Sequence, residues 1–258
     1  MPDHIAHLLF ARRVLQAASP ALRDRISVGS AAFRAGTFGP DPLFNDPSPK
    51  RRAEGFELHR RPGAYALERM RAPVRRGMPW AADYAAGFFC HYALDRACHP
   101  DLKAMAARGE ASHIAVETAY DRRLYLRGAA ELPRRIEMSE SALRAAACMY
   151  ERLTPQQYRA DLSAYWRMRR FLLARGGTHL AGWVGKIRPA WDGVIPHAAP
   201  APGILRGMEI LDAHLNEAVA PAAAQLEAYF SAIDADAPLD AWFNADFAGF
   251  ERPARLTE

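Results

Sequence analysis

The chain has 258 residues, half of them hydrophobic and about a quarter charged, as is ordinary for a folded globular protein. Its formal net charge of +5 comes almost entirely from arginine, and it permits attraction to a phosphate ester, a lipid headgroup or nucleic acid without choosing among them. Three cysteines with no CxxC pair argue against a disulfide framework and against a thiolate zinc site. We expect three reduced thiols, with Cys90 and Cys98 buried.

The residue pattern predicts an all-α protein, because alanine, leucine, arginine, methionine and glutamate dominate and runs of valine and isoleucine are scarce. Ser139 before Glu140 and Thr154 before Pro155 are typical of helix starts. The predicted helices are approximately 4–18, 20–34, 54–72, 80–99, 112–127, 139–152, 155–174 and 204–232.

Proline and glycine gather in the predicted connections 35–50, 73–79 and 175–203. The last of these is interpreted either as a lid or as a surface excursion. The tail 236–258 is expected to dock on the bundle through its aromatic side chains. These are Trp242, Phe243, Phe247 and Phe250.

The sequence contains no internal repeat, and we predict one domain over residues 1–258. A metal-site half, 1–127, would be followed by a helical half with the aromatic tail, 128–258. No run of 18 apolar residues occurs, so a transmembrane segment is not expected. The opening "MPDHIAHLLFARRVL" lacks the basic and apolar regions of a signal peptide, and the expected location is therefore cytoplasmic.

The segment "CHYALDRACHP", residues 90–100, spaces His91, Asp95 and His99 four residues apart. Side chains at this spacing share one face of a helix, one turn apart. His113 and Glu117 repeat the spacing in the next predicted helix, after a connection long enough to reverse the chain. Burying so many ionisable groups without a cation is costly, and imidazoles with carboxylates suit zinc. The two columns therefore predict a metal site between two antiparallel helices.

Other candidate ligands stand alone. His7 lies in the apolar first helix, Asp41 in "FGPDPLF" and His59 in "GFELHRR". A single buried histidine is more often a hydrogen-bonded core residue, and an aspartate between prolines is usually a turn residue or a cap. Both interpretations stay open at these positions. His4, one turn before His7, is a possible extra ligand. A structural role is preferred for His179, His197 and His214.

The order of these residues resembles the zinc-dependent phospholipase C family. An early histidine is followed by aspartate in a GPD loop, another histidine, HxxxDxxxH and HxxxE. "GFFCHYALDRACHP" and "SHIAVETAYDRRLYL" are most similar to the signal-less bacterial branch of that family. Related secreted zinc nucleases that cut single strands share the fold and the ligand order. The resemblance covers residues 1–127 and implies a multi-helix bundle with a metal cluster between helices.

The resemblance implies a cluster of two to three zinc ions. The implied ligands are Asp41, His59, His91 and Asp95 for one zinc; His99, His113 and Glu117 for a second; and His7, Asp95 as a bridge and the amino terminus for a third. The secreted relatives begin with a tryptophan, whereas this chain begins Met-Pro. His4 or Asp3 is the alternative ligand for the third ion.

The resemblance also implies a metal-dependent hydrolase of phosphoric esters that activates water, with Asp41 as orienter or general base. Arg60 and Arg61 are either phosphate contacts or solvated surface residues. The expected substrate is a phosphodiester, with a phospholipid as one candidate, and duplex nucleic acid is not expected. The alternatives are a single-strand nuclease or small-metabolite phosphodiesterase, or a non-catalytic, metal-stabilised helical binding protein.

Candidates for bilayer docking are Phe38, Phe44 and Trp80. The headgroup, the metal present in the cell and the oligomeric state do not follow from the sequence.

Overall fold

The computed structural model describes residues 4–128, 136–187 and 193–251. Twelve α-helices and two 3-10 turns account for the regular structure of these residues, which confirms the all-α prediction. The α-helices are α1 His4–Ala17, α2 Pro20–Arg25, α3 Ala31–Gly36, α4 Pro49–Arg60, α5 Gly63–Arg75, α6 Ala81–Ala107, α7 His113–Leu126, α8 Glu140–Ala147, α9 Pro155–Arg175, α10 His179–Ile187, α11 Pro202–Glu217 and α12 Val219–Ala235. The 3-10 turns are Asp41–Asn45 and Ala241–Asn244.

Three predicted helices are each two helices in the structure. Residues 20–34 divide into α2 and α3, and the side chain of Ser30 caps α3 by accepting a hydrogen bond from Phe33 N at 3.0 Å. Residues 54–72 divide at Pro62, which forces the preceding Arg61 into an extended conformation. Residues 204–232 divide at Ala218, because Pro221 cannot continue the hydrogen-bond ladder of α11.

Two other predictions fell short of the helices that form. The helix predicted at 80–99 continues through Pro100 to Ala107. The proline removes one intrahelical hydrogen bond, but the added turns bury Leu102 and Met105 in the core. The 175–203 connection contains α10, so it is not a loop throughout.

The longest helix, α6, is the centre of the bundle. It is buried along most of its length and packs against α1, α3, α5, α7, α8, α11 and α12. The main hydrophobic core runs from Ile5 in α1 to Phe247 in the tail. The single domain over 1–258 stays a prediction, although this core draws residues from both of its halves.

Two glycines allow α3 to cross α6 at backbone contact. A Cβ atom at Gly36 would lie 2.3 Å from the carbonyl oxygen of Tyr84, and one at Gly87 would lie 2.2 Å from that of Phe33. No other residue fits at either position without moving a helix. The crossing brings the turn after α3 onto the face of α6 that carries His91.

The aromatic tail docks as predicted as far as the structure describes it. Phe243 and Phe247 are buried, and Trp242 stacks on Phe89 at 5.7 Å between ring centroids. Phe250 differs, since half of it is exposed beneath the ammonium group of Lys103. Residues 252–258 of the predicted tail lie outside the described residues.

The cysteines are free, with Cys90 and Cys98 buried and Cys148 exposed, which confirms the prediction of three thiols. Among the residues that the structure describes, no helix combines the length and the apolar character needed to cross a bilayer.

Candidate metal centre

Five elements deliver the eight predicted ligands to one region: α1, the 3-10 turn at 41–45, α4, α6 and α7. Six of the eight side chains are buried, and His59 and His113 are partly exposed. Solvent therefore reaches the cluster from the sides of α4 and of the first turn of α7. The buried six are His7, Asp41, His91, Asp95, His99 and Glu117.

One group of three possible ligands consists of His7, His91 and Asp95, whose ligand atoms lie within 4.8 Å of one another. The imidazole of His7 stacks on that of His91 at 4.1 Å between centroids. Nε2 of His7 lies 3.3 Å from Oδ1 of Asp95, and Nε2 of His91 lies 3.3 Å from Oδ2. The geometry can hold one divalent ion between α1 and α6.

A second group consists of Asp41, His59 and His91, with ligand atoms again within 4.8 Å of one another. Oδ1 of Asp41 lies 3.3 Å from Nε2 of His59 and 3.9 Å from Nε2 of His91. Asp95 also faces this group, because its Oδ2 lies 3.8 Å from Nε2 of His59. The two oxygens of Asp95 therefore point toward two neighbouring groups, as a bridging carboxylate would.

The third implied set, on α6 and α7, is less compact. Nε2 of His99 lies 3.4 Å from Oε1 of Glu117, and Nδ1 of His99 lies 3.9 Å from Oδ2 of Asp95. The rings of His99 and His113 are 6.2 Å apart between centroids. The antiparallel columns do face each other, but His99, His113 and Glu117 do not form a group whose ligand atoms all lie within 4.8 Å of one another.

Backbone carbonyls fix the orientation of three of the histidines. The Nδ1 atoms of His59, His91 and His99 contact the carbonyl oxygens of Gly55 at 2.8 Å, Thr37 at 3.2 Å and Phe247 at 2.9 Å, respectively. With Nδ1–H as donor, Nε2 is left as the ring atom with a lone pair. This is the usual arrangement of a metal-binding histidine.

The Nε2 atoms of these three histidines are buried, and none of them has a hydrogen-bond partner among the described residues. Nε2 of His59, His91 and His99 makes no hydrogen bond there, and neither oxygen of Asp95 makes one of normal geometry. Buried polar atoms without partners are costly, and a divalent cation would satisfy all of them. The donor set of imidazoles and carboxylates fits zinc.

Charge interactions in the cluster oppose the effect of burial. Burial acts to raise the pKa of Asp95, but the imidazoles of His99, His91 and His7 hold that pKa well below its usual value. Burial acts to lower the pKa of His91, yet Asp95 and Asp41 raise it. The pKa of His7 falls to about 4, chiefly through burial and then through His91. The cluster is thus a buried anion, Asp95, surrounded by imidazoles.

The turn that carries Asp41 is held against His91 by a glycine and a tyrosine. Gly39 has φ = 53°, and a Cβ atom there would lie 2.3 Å from the imidazole of His91. Its carbonyl oxygen accepts a hydrogen bond of 3.0 Å from the hydroxyl of Tyr150, which is also 3.1 Å from the hydroxyl of Tyr84. The GPD loop therefore needs glycine for close approach and a buried tyrosine to fix its position.

Asp121 is a buried polar residue that the sequence interpretation missed. Its carboxylate accepts hydrogen bonds from the first-turn amides of α1, Ile5 N at 2.9 Å and Ala6 N at 2.8 Å. It follows Glu117 by four residues on α7, so the column His113–Glu117–Asp121 continues the spacing that identified the first two. The third residue at this four-residue spacing is the sequence signal that places Asp121 on the buried face of α7.

His4 is next to Asp121. Its Nδ1 lies 3.5 Å from the carboxylate, and its ring is edge-on to Trp166. Neither three-residue group contains His4. The alternative ligand Asp3 and the amino terminus lie outside the described residues.

Asp121→Ala is expected to destabilise the protein by about 1–3 kcal/mol, because two buried amides of α1 lose their acceptor. The first turn of α1 carries His7 into the cluster, so zinc affinity should fall as well. Thermal unfolding and zinc titration measure the two effects. Asp24→Ala is the control; Asp24 is exposed on α2, and it should change neither property. Unchanged unfolding of Asp121→Ala would contradict the anchoring role.

Arg60 and Arg61 lie at the end of α4, next to His59. They line a cavity of about 440 Å³ together with Lys50, Phe56 and Tyr65. Arg61 stacks over the ring of Tyr65 at 4.0 Å and pairs with Glu57 at 3.3 Å, whereas Arg60 is exposed. The lining also includes Arg152 and three carboxylates, Glu54, Glu57 and Glu151, so the cavity is mixed in charge with a small excess of cations.

These observations define an all-helical protein with a buried histidine and aspartate cluster able to hold divalent metal. The chain belongs to the zinc dependent phospholipase C family, whose model matches residues 6–166. All eight candidate ligands fall inside the match, and α10, α11, α12 and the tail lie beyond it. No curated protein and no solved structure matches the chain.

Proposed function

We propose that this protein is a zinc-dependent phosphoric ester hydrolase of the phospholipase C type. The observation that carries the proposal is the position of Asp95 between two groups of possible ligands that share His91. A structural zinc site is usually closed and mononuclear, whereas adjacent groups joined by a carboxylate are typical of hydrolytic centres. Membership of the zinc-dependent phospholipase C family supports the same conclusion.

Two to three zinc ions are proposed per chain, with ligands drawn from the eight candidates. His7, His91 and Asp95 would hold one ion, and Asp41 and His59 with His91 and Asp95 would hold another. Zinc bound by these residues would supply Lewis-acid chemistry, polarising a phosphoryl oxygen and lowering the pKa of water. His99, Glu117 and His113 would complete the remaining site.

Asp41 is proposed as the orienter or general base for the attacking water. Its carboxylate lies at the partly exposed, His59 side of the cluster, where water and substrate would enter. The Gly39 turn fixes the backbone that carries Asp41, and Oδ1 of Asp41 lies 3.3 Å from Nε2 of His59. Arg60 and Arg61 would bind the ester's phosphate oxygens from the adjoining cavity.

A phosphodiester is the proposed substrate, and a phospholipid is the preferred one because of the family. A cytoplasmic location is part of the proposal. Cleavage of duplex nucleic acid is not expected, since most of the candidate ligands are buried within a helical bundle.

The test combines metal analysis with hydrolysis. Protein reloaded with zinc should contain at least two ions per chain and should hydrolyse p-nitrophenylphosphorylcholine and dispersed short-chain phosphatidylcholine at neutral pH. Glu117→Gln serves as the inactive comparison, and omission of zinc should abolish turnover. Cleavage of single-stranded DNA but not of lipid would favour the nuclease alternative. Less than one zinc per chain, or equal rates for wild type and Glu117→Gln on every ester, would favour the non-catalytic binding protein.

A further inference from the structure

Helix α10 has an inner and an outer face. Its inner residues pack on a small second core formed with Leu172 of α9 and Ile195. Trp183 and Ile187, four residues apart, lie on the outer face and are 60% and 57% exposed. The inner residues are Leu180, Ala181 and Val184. Large apolar side chains paired on one exposed helix face have no role in the folded core.

The stretch of sequence that contains α10 is basic. Residues 162–187 contain five arginine or lysine residues and no aspartate or glutamate. Four of these cations are exposed, namely Arg167, Arg170, Arg175 and Lys186. Arg167 and Arg170 line a cavity that also includes Glu137, whereas Arg175 and Lys186 flank α10 or lie on it. Phe171, which is 48% exposed, lies beneath the guanidinium of Arg175 at 5.7 Å. An apolar helix face within an acid-free basic segment is complementary to an anionic surface that has an apolar interior.

The chain that follows α10 reaches the helix carrying His113 and Glu117. Gly193 contacts the first turn of α7 so closely that a Cβ atom there would be 2.3 Å from Cβ of Ala115. Ala115 follows the partly exposed His113 by two residues. Ile187 and Gly193 are six positions apart in the chain, which limits the distance between their Cα atoms to roughly 22 Å. The outer face of α10 is therefore within reach of the side from which solvent enters the cluster.

We propose that α10 docks this protein on an anionic phospholipid surface. Trp183 and Ile187 enter the headgroup region, and Lys186 and Arg175 contact lipid phosphates. With nine residues, α10 is suited to lie in the interface and is too short to span a bilayer. The choice of a lipid as occupant rests on the proposed function and on the charge of the segment.

A second copy of the chain is a poorer occupant for this face. A two-fold interface centred on α10 would bring its cations toward the same cations of the other copy, with no acidic residue of 162–187 to pair them. Phe38 and Phe44, considered as docking residues from the sequence, are buried and partly buried. Trp80 is 45% exposed and provides a direct comparison with Trp183.

The test is flotation of the zinc-loaded full chain with vesicles of phosphatidylcholine alone and of phosphatidylcholine with phosphatidylglycerol. Wild type should float with the anionic vesicles. The double variant Trp183→Ser/Ile187→Ser should bind them at least about tenfold more weakly, because two large apolar side chains no longer enter the interface. Trp80→Asn, which keeps a residue that tolerates the positive φ there, should bind as wild type does. Lys186→Gln should weaken binding several-fold on anionic vesicles only.

Equal flotation of wild type and the double variant would overturn the proposal, as would absence of flotation by wild type. A dimer in sedimentation that the double variant dissolves would also overturn it, by assigning the face to a second copy. Unfolding temperatures check that each variant is folded. Hydrolysis of a monomeric chromogenic phosphodiester separates the two proposals, since the double variant should retain it. Vesicle binding without hydrolysis of any ester would contradict the proposed function and leave docking intact, whereas hydrolysis without vesicle binding would contradict docking alone.

Discussion

Asp95→Asn is expected to remove more than one zinc ion per chain and to slow phosphodiester hydrolysis by on the order of 10³-fold or more. The carboxylate lies 3.3 Å from Nε2 of both His7 and His91 and 3.8 Å from that of His59. The amide would keep the shape of the side chain but remove the negative charge and one acceptor. Both groups of possible ligands would then lose their shared anion.

The unfolding temperature of zinc-loaded Asp95→Asn should also fall, because metal binding contributes to the stability of the folded state. Asp101→Asn is the matched control, since Asp101 is on the same helix and its partner is His214 at 2.8 Å. That exposed pair contributes little to stability. Elemental analysis, a thermal melt and a rate on a chromogenic phosphodiester provide the measurements. Equal zinc content in Asp95→Asn and Asp101→Asn would exclude the bridging role.

The part of the candidate site that the sequence predicted well is the part encoded by helical spacing. Residues four apart must share a face, so the columns on α6 and α7 follow from the sequence once both segments are helices. His7, Asp41 and His59 were assigned through the family resemblance, because no local rule brings a residue of the first helix to one near position 95.

The contacts that support the cluster come from distant parts of the chain, and no pattern announces them. The carbonyl oxygen of Phe247 orients His99 across 148 residues, and Tyr150 reaches Gly39 across 111. Backbone carbonyls have no side-chain signature. The sequence therefore predicts that the tail docks, but not that a backbone carbonyl of the tail fixes the ring of His99.

The helix boundaries went wrong where proline and tertiary packing compete with propensity. Pro62 and Pro221 end helices that composition alone would continue, whereas Pro100 is passed because the turns beyond it are buried. The sequence does not predict α10, because Gly176 and Gly177 before it and Pro189 and Gly193 after it favour a loop. It forms because Leu172 and Ile195 cover its inner face.

Gly87→Ala is expected to lower the free energy of unfolding by about 2–4 kcal/mol, or the unfolding temperature by roughly 5–10 °C. The added methyl group would lie 2.2 Å from the carbonyl oxygen of Phe33 and 3.0 Å from the amide nitrogen of Thr37. Both are backbone atoms, so the overlap cannot be relieved by a side-chain rotation. Helix α3 must move away from α6.

Gly182→Ala is the matched control, because it makes the same change inside α10 where nothing lies within 4 Å of the new methyl group. It should be neutral or raise stability by about 0.5–1 kcal/mol, as alanine is the better helix former. Denaturant unfolding of the two variants separates the crossing from the general effect of removing a glycine. Equal stability changes of the same sign would show that the α3–α6 crossing tolerates a side chain.

The same displacement should reach the candidate metal centre. Thr37 follows α3 directly, and its carbonyl oxygen contacts Nδ1 of His91, one turn beyond Gly87 on α6. When α3 moves, His91 loses the acceptor that fixes its ring, and the turn carrying Asp41 moves with it. Zinc affinity of Gly87→Ala, measured well below its unfolding temperature, should therefore be weaker than that of wild type, whereas Gly182→Ala should bind zinc normally. Wild-type zinc affinity in a destabilised but folded Gly87→Ala would mean that the crossing supports the fold without positioning the site.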